Sequence, residues 1–329
     1  MFLPPDRVCI LRNAVVAGTV DETEILRVSA LIEKTLTEMG YTTGIVELTF
    51  NIEKTLAAIR DFKPDFVFNL AEAVANDMRF CAIGAAVLEH LQLPFTGAGL
   101  RAHQMSVDKT IAKLILAGDG ILQADWITPE PGTHLSFAAG ELYIVKAAVE
   151  HGSVGLDSNS VITPGSLAEL LEAIRDRTER FGTPFFAERY IMGRDFTVPI
   201  LAGKVIPMRE FIYENRQPGE VTVQDYRCKW IVESPEYENT SVNYEFGDSD
   251  VPMLSELAKI AERCVSLFSL RGYARIDFRV DAQNRPFVLD VNANPSLGDD
   301  TSFYFALEEA NISYSQALAA IIADIGSRS

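Results

Sequence analysis

Short apolar runs alternate along the first third of the chain with longer stretches whose apolar residues recur every three to four positions. Arg7–Leu11, Gly44–Phe50 and Phe66–Leu70 read as strands. Between them, Asp21–Met39 carries Ile25, Val28, Leu31, Ile32 and Leu36 at helical spacing, and Glu53–Arg60 reads as a shorter helix. This alternation predicts an open parallel sheet with helices on its faces. Phe80–Leu91 reads as a further helix, closed by turn signals at Pro94, Gly97 and Gly99.

The rhythm changes near Met105. Asp108–Ala117 is helical and runs into Gly-Asp-Gly, Leu142–Ala147 is strand-like, and a glycine-bearing loop follows over His151–Gly155. Ser166–Arg180 reads as a helix with Ser166 as cap and Glu169 at capping-box spacing. Strands follow at Phe185–Ile191, Phe196–Leu201 and Lys204–Ile212. Glu214–Ser249 is long, polar and aperiodic, the pattern of a mobile loop over a site rather than of a core element. Met253–Leu270 is an amphipathic helix, Tyr273–Val280 and Pro286–Asn292 are strands, and Tyr314–Ile325 is the last helix. The expected organisation is an α/β unit over 1–104, a central α+β unit over 105–188 and a third α+β unit over 189–329.

Length agrees with two or three domains, because 329 residues exceed what one ordinary core holds. No apolar run approaches the length of a membrane helix, and the N-terminus lacks a cationic stretch followed by an apolar one. Four cysteines stand far apart with no metal-ligand spacing, so buried reduced thiols in a cytoplasmic protein are expected. The formal charge of −17 excludes nucleic acid and anionic membrane as natural partners. It leaves room for a nucleotide, which needs only a few local cations.

Candidate chemistry concentrates in ARIDFRVDAQNRPFVLDVNANPS. Strand alternation puts Arg275 and Asp277 on one face, and Asp290 and Asn292 on one face. A hairpin turning between Gln283 and Asn284 sets Asp277 opposite Asp290 and Arg275 opposite Asn292. Facing carboxylates destabilise a sheet unless a cation lies between them, and carboxylate and amide oxygens suit Mg²⁺. The alternative is a solvated polar face, against which the apolar neighbours Ile276, Phe278, Phe287, Leu289 and Val291 argue. Lys109 opens a helix. Lys146 ends a strand ahead of Gly152, Ser153 and Gly155, a loop whose backbone N–H groups can meet an anion. Glu188 and Asp195 flank an apolar strand-to-turn segment at a unit boundary, where a carboxylate can accept sugar hydroxyls.

In this order, FNLAEA, VLEHLQLPFTGAG, DKTIAK, IVKAAVEHGSVG, AERYIMGRDF, DYRCKW and ARIDF…FVLDVNANP resemble the D-alanine–D-alanine ligases of the ATP-grasp superfamily, from Phe68 to Pro295. The resemblance implies an ATP-grasp fold and an ATP-dependent carboxylate–amine ligase that works through an acyl phosphate. It implies ATP with Mg²⁺ (two ions, Mn²⁺ as a substitute) and small amino-acid-like substrates; a homodimer is expected only because two-fold dimers are the commonest oligomers. By the same resemblance, Lys109 and Lys146 hold the α- and β-phosphates and Ser153 covers them. Glu188 lies at the adenine hinge with Tyr190 and Ile191 beside the base, and Asp195 binds the ribose. Lys229 reaches the γ-phosphate, and Asp277, Asp290 and Asn292 hold the metals. Arg275 steadies the tetrahedral species, and Glu22 meets the first substrate. Ala71-Glu72, Gly152, Trp230 and Ser296 depart from the pattern, all where that family handles its amino acids. A relative joining other acids, and a non-catalytic ATP-binding regulatory protein, are the alternatives.

Overall fold

The structure, a computed structural model, describes residues 6–15, 20–130, 137–153, 155–215, 217, 220–224, 234 and 238–327, with the side chains of 20–22, 158 and 326–327 outside the description.

Strands β1 (Arg7–Asn13), β2 (Thr42–Leu48) and β3 (Phe66–Asn69) form a parallel sheet of order β2-β1-β3. Both of its faces are covered, so alternate residues of β1 enter different cores. Val8 and Ile10 pack with Val28, Ile32 and Leu36 of helix Val20–Glu38, whereas Cys9 and Leu11 pack with Leu56 and Ile59 of helix Ile52–Phe62 and Leu88 of helix Ala82–His90. The expected strand–helix alternation holds throughout this unit. Asn51 caps the second helix by accepting Lys54 N–H at 3.1 Å, and Lys63 closes it in the left-handed region.

Strands β4 (Trp126–Ile127), β5 (Tyr143–Ala147), β6 (Val161–Ile162) and β7 (Phe185–Arg189) form an antiparallel sheet ordered β4-β7-β5-β6. Helix Leu167–Phe181 packs on it through Leu170 and Ile174. Ser166 caps that helix, but Glu169 accepts the N–H of Gly165 rather than that of Ser166, so the expected capping box is displaced by one residue.

The third sheet joins β8 (Arg194–Leu201), β9 (Lys204–Val205), β10 (Arg209–Tyr213), β11 (Thr240–Asn243), β12 (Tyr273–Val280) and β13 (Pro286–Asn292), with the path β11-β10-β8-β12-β13 and β9 on β8. The single strand expected over Lys204–Ile212 is two, with Pro207 between them; proline cannot donate to a ladder. The segment expected as one loop from Glu214 to Ser249 contains the edge strand β11, paired with β10 from Glu210↔Asn243 to Tyr213↔Thr240. Helix Val251–Phe268 covers this sheet through Met253, Leu257, Ala261 and Cys264. Ala102 of helix Leu100–Ser106, with Ala112 and Leu116 of helix Lys109–Gly118, joins the same core. By packing, the segment just past residue 105 therefore serves the large sheet. Helices Ser302–Glu309 and Tyr314–Ala323 return to the first unit through Leu307, Leu318 and Ile321.

Candidate active site

The ladder between β12 and β13 sets Arg275 opposite Asn292 and Asp277 opposite Asp290, the register read from the sequence. It gets there differently. The turn over Asp281–Arg285 centres on Gln283, and a bulge between the 277/290 and 278/288 pairs absorbs one residue, Leu289. Leu289 and Asp290 consequently both line the same cleft.

That cleft, of about 840 Å³, lies between the second and third sheets. Arg275, Asp277 and Arg279 enter it from β12, alternating with Ile276, Phe278 and Val280 of the core. Asp277 accepts hydrogen bonds from Thr197 Oγ1 at 2.9 Å and from Arg275 Nε at 3.1 Å. Asp290 Oδ2 lies 2.8 Å from His151 Nδ1, while Oδ1 receives no hydrogen bond and stands 3.4 Å from Lys109 Nζ. Burial alone would raise the Asp290 carboxyl, but His151, Lys109 and Arg275 outweigh it and hold it well below the ordinary carboxylate range.

Lys109 is placed by its own helix start. Asp108 accepts the N–H groups of Thr110 and Ile111 at 2.8 and 3.3 Å, and Lys109 N–H donates to Ala148 O at 2.8 Å. Its buried ammonium meets the Glu150 carbonyl, the Glu150 carboxylate at 3.6 Å and Asp290. Burial opposes the charge, yet Asp290 and Glu150 raise its pKa.

One helical turn further, Lys113 meets Glu188 at 2.8 Å, and Lys146 reaches the other oxygen of Glu188 at 2.5 Å. Burial would raise the Glu188 carboxyl; the two lysines reverse this and lower it. Lys113 also donates to Ala124 O at 3.1 Å, and its pKa is lowered by burial that Glu188 only partly offsets. Ser153, buried at φ 63°, donates to Gln224 O at 2.9 Å.

Ten of the predicted site residues line this cleft: Lys109, Lys146, Ser153, Glu188, Tyr190, Ile191, Asp195, Arg275, Asp277 and Asp290. Asn292 stands opposite Arg275 in the ladder, two residues from Asp290, with Oδ1 accepting Asn294 N–H at 2.9 Å. Asp195 lines the cleft with its carboxylate already engaged: Oδ1 accepts Arg279 Nε at 2.7 Å, and Oδ2 accepts Arg279 Nη2 and Tyr213 OH, which leaves one acceptor site on Oδ1. Glu188, expected at the adenine hinge, is paired with Lys113 and Lys146. Lys229 and Trp230 lie outside the described residues, as does the side chain of Glu22.

Lys113, His151 and Arg279 were not foreseen. Lys113 follows Lys109 at i+4, and Arg279 continues the period of two from Arg275 and Asp277, so both had a spacing signal. His151 had none, because a loop has no period.

The sequence pattern of the D-ala D-ala ligase C-terminus family matches residues 134–323, more than half of the chain. The D-alanine–D-alanine ligase of Aquifex aeolicus is 31% identical over 314 residues, covering 93% of this chain and 97% of that one. The chain belongs to the D-alanine–D-alanine ligase family. An uncharacterized protein of Sinorhizobium fredii is 27% identical over 308 residues, covering 90% and 86% of the two chains. Among solved structures, the D-alanine–D-alanine ligase of Bacillus anthracis complexed with ATP superposes with a TM-score of 0.71 at 20% identity, covering 98% of both chains. That of Coxiella burnetii gives 0.69 at 18% identity, covering 99% of this chain and 95% of that one. Membership in this ligase family carries the ATP-grasp fold with it, and the three sheets are its parts.

Proposed function

We propose that this protein is an ATP-dependent ligase that joins a carboxylate to an amine through an acyl phosphate, with the cleft between the second and third sheets as its nucleotide site. The observation that carries this reading is the opposed pair Asp277/Asp290, flanked by Lys109 and Arg275 in one cleft, within a chain of this family. The carboxylate of the first substrate attacks the γ-phosphorus of ATP, ADP leaves, and the amine of the second displaces phosphate from the carbonyl carbon. One C–N bond forms for each ATP converted to ADP and phosphate.

The residues present fit Mg²⁺. Asp290 Oδ1 is buried and accepts no hydrogen bond, and Asp277 faces it across the ladder. Among the described residues, no three acidic, histidine or cysteine side chains converge on one point, so the protein does not build a cage by itself. That suits Mg²⁺, which keeps waters and takes substrate phosphate oxygens. Asp277, Asp290 and the remaining lone pair of Asn292 would hold it, and it would neutralise charge on the transferring phosphoryl group. Lys109 and Lys146 serve the phosphates, the Ser153 loop covers them, and Arg275 faces the developing oxyanion. Lys229 and Glu22 keep, on resemblance alone, the γ-phosphate and first-substrate roles. A cytoplasmic location and a homodimer belong to the same proposal; light scattering tests the dimer.

The test is ADP release over pairs of D- and L-amino acids and hydroxy acids. Release that requires both an acid and an amine is expected. Release with an acid alone, unaffected by any amine, would make the protein a phosphotransferase, and no release with any pair would leave a non-catalytic nucleotide-binding protein.

A further inference from the structure

The two ends of the cleft differ in chemistry. Lys109, His151, Arg275, Asp277 and Asp290 crowd one end, while Ile144, Leu156, Tyr190, Ile191, Val223 and Leu289 supply an apolar lining suited to a base. Beside Phe196 and Thr197, Asp195 also lines the cleft, and Arg279 already engages both of its oxygens.

Arg279 stands directly across the ladder from Asp195. Its side chain is 6% exposed and that of Asp195 8% exposed, so the two charges are paired out of water. Burial alone would lower the guanidinium pKa, and Asp195 raises it instead. The fork does more than neutralise. Arg279 Nη2 donates to Thr222 O at 2.9 Å, Nη1 donates to Ile191 O at 3.3 Å, and the guanidinium carbon lies 4.8 Å above the Tyr190 ring. Tyr190 OH donates to Thr222 O at 2.6 Å and accepts Thr222 N–H at 2.8 Å. With Ser153 holding Gln224 O, the stretch Thr222–Gln224 is tied to the hinge, to the sheet and to the phosphate loop at once.

We propose that Arg279 is a positioning and specificity-determining residue of the nucleotide site, which satisfies Asp195 through both of its oxygens and uses the pair to fix Thr222–Gln224 as a wall of the cleft. The consequence is weak reading of the 2′-hydroxyl. A site that hydrogen-bonds a substrate hydroxyl rejects the analogue lacking it, because its own polar group is left unpaired; here the carboxylate keeps its partners whether or not the hydroxyl is present.

This rests on the ligase reading, and binding separates the two. The Mg²⁺ complexes of a non-hydrolysable ATP analogue and of its 2′-deoxy form are titrated calorimetrically into the full chain. Wild-type affinities within about fivefold of each other are expected, and a preference for the ribose form beyond that overturns the proposal. Arg279→Met is expected to weaken both nucleotides tenfold or more and Arg279→Lys by less, because lysine keeps the charge on Asp195 but loses the fork to Thr222 and Ile191. A folded Arg279→Met protein that binds both as wild type also overturns it. If Arg279→Met does not fold, the wild-type ratio decides alone. If neither nucleotide binds, the ligase reading itself fails and takes the proposal with it.

Discussion

Single charges in the cleft are balanced so closely that removing one leaves another stranded. Asp290→Asn keeps volume and removes the negative charge that Lys109 and His151 face; ADP production is expected to fall a hundredfold or more while the far-UV circular dichroism stays unchanged. Near wild-type turnover would place the metal elsewhere. Glu188→Gln leaves Lys113 and Lys146 buried beside a neutral amide, and a loss of about 3–5 kcal/mol in urea unfolding is expected. His103, in the core under the first and third units, is held neutral by burial and by the nearness of His151, its pKa lowered from 6.5 to about 4. The unfolded chain takes up that proton near pH 6.5 and the folded one only near 4. Stability therefore drops as pH falls through this window, by about 3 kcal/mol at its lower end. His103→Asn, which cannot titrate, should flatten that part of the pH–stability curve measured by urea unfolding. Much of this constellation was legible because strands and helices impose a period: Asp277 and Asp290 faced each other as expected. Partnership was not legible. That Asp195 belongs to Arg279, and Glu188 to two lysines, follows from which strands become neighbours, and spacing along the chain does not carry that information.

Elements were read where their pattern was long and lost where it was short. The helices Val20–Glu38 and Val251–Phe268 and the strands β12 and β13 appear within two residues of their expected ends. The two-residue strands β4 and β6 went unread, as did β11, because two to four residues cannot display a period against polar surroundings. Two features of the hairpin region invite tests. A Cβ on Gly193 would sit 2.0 Å from Val280 O, a backbone atom fixed by the β8–β12 ladder. Gly193→Ala should therefore cost about 3 kcal/mol, read as a lower urea midpoint with an unchanged slope. The bulge makes a sharper prediction. If Leu289 is deleted, the ladder running up from the turn brings Asp290 opposite Asp277 with no bulge at all, so the acidic pair survives while one apolar wall of the cleft is lost. The deletion variant is expected to fold and to bind the nucleotide analogue at least tenfold more weakly in calorimetry. An unfolded deletion variant would mean that the bulge holds the sheet together.

At the scale of the whole molecule, the first and third units meet around a second cleft of about 580 Å³, lined among others by Asn13, Glu24, Glu72, Asn76, Asn294 and Ser296. Its described lining residues include two carboxylates and no lysine, arginine or histidine. Glu72 and Ser296, where the sequence departs from the pattern of the D-alanine–D-alanine ligases, both belong to this lining. D-alanine alone is accordingly expected to give kcat/KM at least tenfold below the best pair of a mixed acid and amine panel; D-alanine ranking first would refute this. The same meeting of units has a consequence for how the protein is made. One face of the parallel sheet, at Val8, Ile10 and Phe68, is finished by Phe303, Leu307, Leu318 and Ile321, which are synthesised more than two hundred residues later. At ribosomal speeds of roughly 5–20 residues per second, the stretch from Asn69 to Ile321 leaves the nascent sheet about 13–50 s with that face incompletely covered. Throughout that interval it is a natural client for whatever guards emerging chains, and release comes only when the last helix has left the tunnel.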